Sequence, residues 1–225
     1  MGQTGAMAHS EEITTRHSTV EEWTRALAES VGSPGGGAGA GVMLAIAASL
    51  TSMVAGYTEA DGDQQDHLQE LLARAQDLRK SALQLADDDA SASRAFGAAF
   101  RLEAGSERDA AIREASLGAA RSSATLGDRA IDAIEDLRWL AENGNRALIA
   151  DVVVAFGALR AAVTGARTNV SFDLATLRSA GLTLEEIREQ QPALWATVER
   201  LDAGIERIDA EVAAVDHRAA PTDAL

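Results

Sequence analysis

The chain contains no cysteine. That excludes disulfides, thiolate metal sites and a cysteine nucleophile. Aromatic residues make up only 4% of its 225 positions, and there are 3 prolines. With strand-forming side chains scarce and alanine abundant, the composition favours closely packed helices over sheet. Positive charge is also in short supply: 20 Lys and Arg stand against 35 Asp and Glu, for a net charge of −15. Such a chain lacks the basic footprint of general nucleic-acid binding and repels anionic lipid. The stretch MGQTGAMAHSEEITTRH has neither a basic start nor an apolar run, so it does not read as a secretory signal and the expected location is the cytoplasm. His9, His17, His67 and His217 fall at no metal-ligand spacing, and no metal site is expected. His67, early in an amphipathic helix, is expected to face solvent.

What is present is 46% hydrophobic and long enough to bury a real core. The reading divides the chain into a loose tail over residues 1–17, one helical domain over 18–218 and a flexible end over 219–225. The expected fold is all-α: a bundle of long helices around a buried small-residue central helix. Thr19 with Glu22 forms a capping box that starts the first helix, with Val20, Trp23, Leu27 and Val31 on one face and Gly32 and Pro34 as the stop. From Gly35 to Thr58 there is no charge. A membrane span is the alternative for a run of this length. The segment is rich in Gly, Ala and Ser, however, and its flanks Glu29, Glu59 and Asp61 are acidic, so a buried core helix is the better reading and no membrane is expected. Gly37, Gly41, Ala45 and Ser49 recur every four residues and would let another backbone approach closely.

Further helices are expected over about 63–86, then a short one to Leu102 after the acidic triplet Asp87, Asp88 and Asp89. Others follow over about 107–141 and 147–170, with the ENGN stop between them. Thr183 with Glu186 repeats the capping box, and Pro192 should kink or restart the last helix. There, Leu194, Val198, Leu201, Ile205, Ile208, Val212 and Val215 form an a/d seam that could pack within the chain or across a dimer.

The stretch VGSPGGGAGAGVML places Pro34 and three glycines at the mouth of the uncharged run. It is no phosphate loop of the familiar kind, because no Lys-Ser or Lys-Thr follows and no strand precedes it. A helix-terminal nest for an anion and a simple close-packing turn both remain open. Asp151 lies in LIADVVVAF, where burial is costly unless the carboxylate caps a helix or serves a function. Asp89, read alone, is a solvated helix end.

Four landmarks in order resemble the cyclodeaminase/cyclohydrolase family, which includes the cyclodeaminase domain of formimidoyltransferase-cyclodeaminase and the small bacterial methenyltetrahydrofolate cyclohydrolases. SPGGGAGAGVMLAIAASLTSMVAGYT looks like the family's Pro-Gly-Gly-Gly start to a small-residue helix. In LADDDASASRAFGAAFRL, Asp89 and Arg101 match, while Ser93 replaces an aromatic and Glu103 a proline. In ENGNRALIADVVVAF, Asn145 and Asp151 match, while Arg146, Ala147 and Ala150 depart from the pattern. In GARTNVSFDL, Asn169 matches, Ser171 stands where an Arg is common and Asp173 where an Asn is common.

The resemblance implies a folate one-carbon enzyme without a further cofactor. It would hydrolyse 5,10-methenyltetrahydrofolate to the 10-formyl form, or cyclise 5-formimidoyltetrahydrofolate with loss of ammonia. It implies Asp89 and Asp151 as catalytic carboxylates, one for acid/base work and one for the pterin. Ser33, Gly35, Gly36, Gly37, Arg101, Asn145 and Asn169 would bind substrate, with Arg101 offsetting the folate's glutamate tail. It also implies a homodimer and one cleft shared by Asp89, Asp151 and the glycine loop, within a subunit or across the dimer. Two alternatives stand beside it: a diverged enzyme of the same fold acting on a non-folate substrate, and a non-catalytic helical binding protein.

Overall fold

The computed structural model describes residues 13–30, 32–179 and 181–219; the expected tail before residue 13, Val31 and the chain beyond residue 219 lie outside these. The described residues form helices joined by turns, with no strand. Seven α-helices follow in order: α1 (Val20–Leu27), α2 (Gly36–Gly56), α3 (Asp63–Phe100), α4 (Ser106–Asn143), α5 (Ile149–Ser179), α6 (Leu184–Gln190) and α7 (Pro192–Ala219). A single 3₁₀ turn, Arg146–Leu148, precedes α5.

Both capping boxes form as the sequence predicts, at Thr19–Glu22 and Thr183–Glu186. Pro192 opens α7, where its missing N–H costs nothing. Three expectations change. The first helix stops at Leu27 and buries only Trp23, leaving Val20 and Leu27 exposed. Ile13 to His17, expected as loose tail, lie against α3: the Thr15 N–H donates to Asp87 and Arg16 to Gln84, while the Trp23 indole N–H donates to Thr15. The acidic triplet does not end a helix; α3 runs through it to Phe100. Aspartate is only mildly unfavourable inside a helix, so inward packing of Ala82, Ala86, Asp89 and Ala90 decides.

Small residues set the helix spacing. The α2–α3 crossing has Gly41 against Ala86 and the Ala82 carbonyl, and the α2–α5 crossing has Gly165 against Ala40. On α4, Gly127 meets Leu201 and Ala166. These pairings run α2 antiparallel to α3 and α5, so the bundle has two distinct ends. Gly36, Asp89 and Asn169 lie at one end, and Tyr57, Asn145 and Asp151 at the other. Phe156, Leu159 and Val163 of α5 are fully buried, with Leu44 and Val54 of α2 and Ile134, Leu137 and Leu140 of α4 beside them. The a/d seam of α7 turns inward on its own chain. Leu201, Ile208 and Val215 are wholly buried, and Arg167–Asp202 and Arg160–Asp209 ion pairs tie α7 to α5. The seam is therefore core, and is not available as a dimer interface. His67, expected in solvent, stacks on Trp139 with ring centroids 4.9 Å apart and buries its Nε2 without a partner.

α2 and the segment 146–178 are long and apolar enough to cross a membrane. In this fold they are adjacent core helices, each with one strip left uncovered. Met43, Ile46, Met53 and Tyr57 are exposed along α2 and its end; Ala150, Val154, Gly157, Ala161, Thr168 and Phe172 are exposed along α5. Neither strip carries a charge.

Candidate functional site

Nothing in the glycine loop can cap α2. Gly35 occupies the N-cap with extended backbone and no side chain, so the first N–H groups of the helix need partners from elsewhere. The partner comes from α3: the Asp89 carboxylate accepts the Ala38 N–H. A Cβ on Gly37 would fall inside that carboxylate. This is the position where the sequence requires glycine, because the Asp89 head group occupies the space a side chain would need. The remaining glycines Gly35 and Gly36 have open space beside them.

Asp89 is nearly buried, and one wall of a cleft of about 320 Å³ starts there. Gly36 and Gly37 line it from α2, Ser93 and Phe96 from α3, Ala119 and Ser123 from α4, and Thr168, Asn169, Phe172 and Asp173 from α5. Phe96 stacks on Phe100 at 4.8 Å, and Phe172 stands largely exposed at the rim. Among the described residues, Asp89 and Asp173 are the only ionisable ones in the lining, and it holds no cation.

Burial dominates the electrostatics of both carboxyls. It raises Asp89 above the usual carboxylate range, with the Ala38 N–H opposing. Asp173 is pushed up to about 7, first by burial and then by the Asp89 charge. No hydrogen bond satisfies the Asp173 carboxyl among the described residues, so nothing there favours its ionised form.

Of the residues singled out in the sequence, Asp89, Gly36, Gly37 and Asn169 come together in this cleft. Gly35 and Ser33 sit just before it, the Ser33 hydroxyl accepting from Arg94 at 3.0 Å. The others do not join them within one chain. Arg101 is exposed at the C-cap of α3, its backbone about 18 Å along the helix from Asp89; its guanidinium folds back beside Gly97 and is not part of the cleft lining. Asn145 is engaged by its own fold: its amide donates to the Tyr57 carbonyl, its N–H to Thr58, and its Oδ1 accepts from Ala147. Asn145 thereby takes the capping role that the sequence left open for Asp151. Asp151, half-buried in the first turn of α5, makes no capping hydrogen bond. It is eighteen residues before Asn169 on the same helix, about 27 Å away.

The residues missed were Asp173, Phe96, Phe172 and Ser123. Asp173 had a readable signal: it follows Asn169 by four, which places both on one face of α5. Phe172 and Ser123 had none, since only the crossing of α4 and α5 brings them to the cleft.

The chain is similar in sequence and fold to known proteins. The sequence profile of Formiminotransferase-cyclodeaminase matches residues 19–190. A methenyltetrahydrofolate cyclohydrolase from Methylorubrum extorquens is 28% identical over 188 residues, covering 78% of this chain and 88% of that one. The crystal structure of a formiminotetrahydrofolate cyclodeaminase from Thermotoga maritima superposes with a TM-score of 0.74 at 24% identity, covering 89% of this chain and 96% of that one.

Proposed function

Since the chain belongs to the formiminotransferase-cyclodeaminase family, we propose that it is a cytoplasmic folate one-carbon enzyme working in the Asp89 cleft. It hydrolyses 5,10-methenyltetrahydrofolate or cyclises 5-formimidoyltetrahydrofolate. The observation that carries this reading is the pairing of two carboxyl groups, unopposed by any cation, beside the open N-terminus of α2. Both reactions pass through a tetrahedral carbon flanked by cationic nitrogen. A buried carboxylate stabilises that charge, and a carboxyl pair can move the protons. Asn169 offers an amide to position the ring system, and Phe96 and Phe172 offer faces to flank it. Proton transfers alone balance either reaction, so the proposal includes no metal or redox cofactor.

A second copy of the chain completes the molecule in this proposal. The uncovered strip of α5 runs from Ala150 to Phe172 and is centred on Ala161, with Gly157 and Ala161 at its middle, the small Ala150 at one end and the large Phe172 at the other. A two-fold axis through that centre pairs the strip with itself antiparallel, and such self-complementarity is what an isologous dimer needs. The strip of α2 extends the same uncharged surface, while the rest of a −15 chain repels its copy. Reflection about residue 161 sets the partner's Asp151 against the Thr168–Phe172 edge of the cleft. That is how Asp89 and Asp151, at opposite ends of one chain, would come to serve one site.

A specific observation favours the second reading, a diverged enzyme with a different cationic substrate. Arg101 is absent from the lining of the cleft, and among the described lining residues there is no basic side chain to meet a folate's glutamate tail. The two readings separate in a thermal-shift and turnover panel containing both folates. A folate substrate should raise the melting temperature with the logarithm of its concentration and be consumed. Absence of both effects at millimolar folate sinks the first reading.

A further inference from the structure

We propose that Asp173 is the acid of this site, donating the proton that the departing nitrogen takes, while Asp89 accepts the proton of the attacking group. The inference rests on the folate reading above, because it assigns a role within that reaction. Three observations on the structure carry it. Both carboxyls line one cleft, Asp89 from α3 and Asp173 from α5. Asp89 has a fixed donor in the Ala38 N–H at the start of α2, where the helix dipole also favours an anion. Asp173 has no donor among the described residues, lies within α5, and is partly buried opposite a carboxylate. Two like charges in one enclosed space do not both persist, and the proton settles on the group without a donor. Among the cleft-lining residues of α2, α3, α4 and α5, Asp89 is the only ionisable group facing Asp173. In the proposed dimer the partner's Asp151 would add a further negative charge and hold the proton more firmly.

The step balances as follows. The nucleophile, water or the N10 amine, forms its bond to the one-carbon unit and gives its proton to the Asp89 carboxylate. The bond from that carbon to the departing nitrogen then breaks. Its electron pair stays on nitrogen, which takes the proton of Asp173. Asp89 is left protonated and Asp173 ionised. In the cyclisation, one proton passing from Asp89 to Asp173 restores the starting state. In the hydrolysis, the adduct's hydroxyl gives its remaining proton to Asp173 as the formyl C=O forms, and Asp89 releases its proton to solvent. An asparagine at position 173 could hydrogen-bond the nitrogen but could not deliver a proton.

The experiment is the pH dependence of 5,10-methenyltetrahydrofolate consumption by the full chain and by Asp173→Asn, corrected for the spontaneous reaction. The wild type should lose kcat as pH rises through about 7. Asp173→Asn should fall by about 10²-fold or more and lose that limb, with KM little changed. Asp173→Glu should recover part of the rate and the limb with it. An asparagine variant that keeps wild-type kcat and the same profile overturns the proposal. If the wild type consumes neither folate, the folate reading fails, and Asp173 is judged by carboxyl ¹³C titration. A midpoint near neutrality that drops in Asp89→Asn supports the shared proton; a midpoint in the ordinary aspartate range overturns it.

Discussion

Replacing Gly41 with alanine puts one methyl group where α2 and α3 cross. The new Cβ would stand 2.7 Å from the Ala86 Cβ, 3.0 Å from its Cα and 3.1 Å from the Ala82 carbonyl oxygen. Carbon atoms rest about 3.5–4.0 Å apart, so the two backbones must separate by most of an ångström. No flexible side chain is there to yield, since both neighbours on α3 are alanines. Overpacking of this kind costs about 1–3 kcal/mol. Against it stands the helix propensity of alanine over glycine, about 1 kcal/mol. The net effect is a destabilisation of up to about 2 kcal/mol. Gly118 supplies the matched control: it lies in α4, is exposed, and a Cβ there meets nothing within 4 Å. Gly118→Ala keeps only the propensity gain and should stabilise by about 0.5–1 kcal/mol. For a chain of this size, each kcal/mol moves the melting temperature by about 2–4 °C, so the two variants should melt roughly 1–12 °C apart in thermal circular dichroism, Gly41→Ala the lower. Equal stabilisation by both substitutions would show that α2 and α3 do not meet at Gly41. Gly41→Leu should be worse than alanine in the same assay.

Three other expectations concern the site and the assembly. Asp89→Asn should lower turnover by about 10²-fold or more, and Asp151→Asn should do likewise if the partner's Asp151 reaches the cleft; a silent Asp151→Asn would remove it from the site. The chain should be a dimer by light scattering at micromolar concentration, and a charge in the uncovered strip, Ile46→Glu or Val154→Arg, should give a folded monomer. A wild-type monomer would refute the α2–α5 interface. Asp173 titrates at about 7 in the folded protein against 3.8 as its ordinary value, so the fold loses stability as pH rises between these values and no further above them. Asp173→Asn escapes that loss, and its advantage in urea denaturation should grow from pH 4 to pH 8. An advantage independent of pH would mean that Asp173 carries no shifted proton.

Much of the fold could be read from local patterns. Capping boxes at Thr19 and Thr183 marked two helix starts because their hydrogen bonds span only three residues. The spacing of Gly37, Gly41 and Ala45 identified the small-residue helix, since close backbone approach leaves no other choice of side chain. Ordered motifs pointed to the family and to Asp89 and Asn169. Long-range geometry decided the rest. The acidic triplet read as a helix end, yet packing against α2 carried α3 through it and made Asp89 the cap of another helix. The α7 seam had a period suited to either an internal or an external partner, and only the position of α5 showed that it faces inward. Asp151 and Asn169 looked like members of one site because both fall in motifs that resemble the family's. One straight helix with a rise of about 1.5 Å per residue holds them at opposite ends of the bundle. Asp173 passed as a simple departure from a pattern until α3 and α5 set it across a cleft from Asp89. A carboxyl's proton affinity depends on what lies within a few ångströms of it in space, and sequence distance does not encode that.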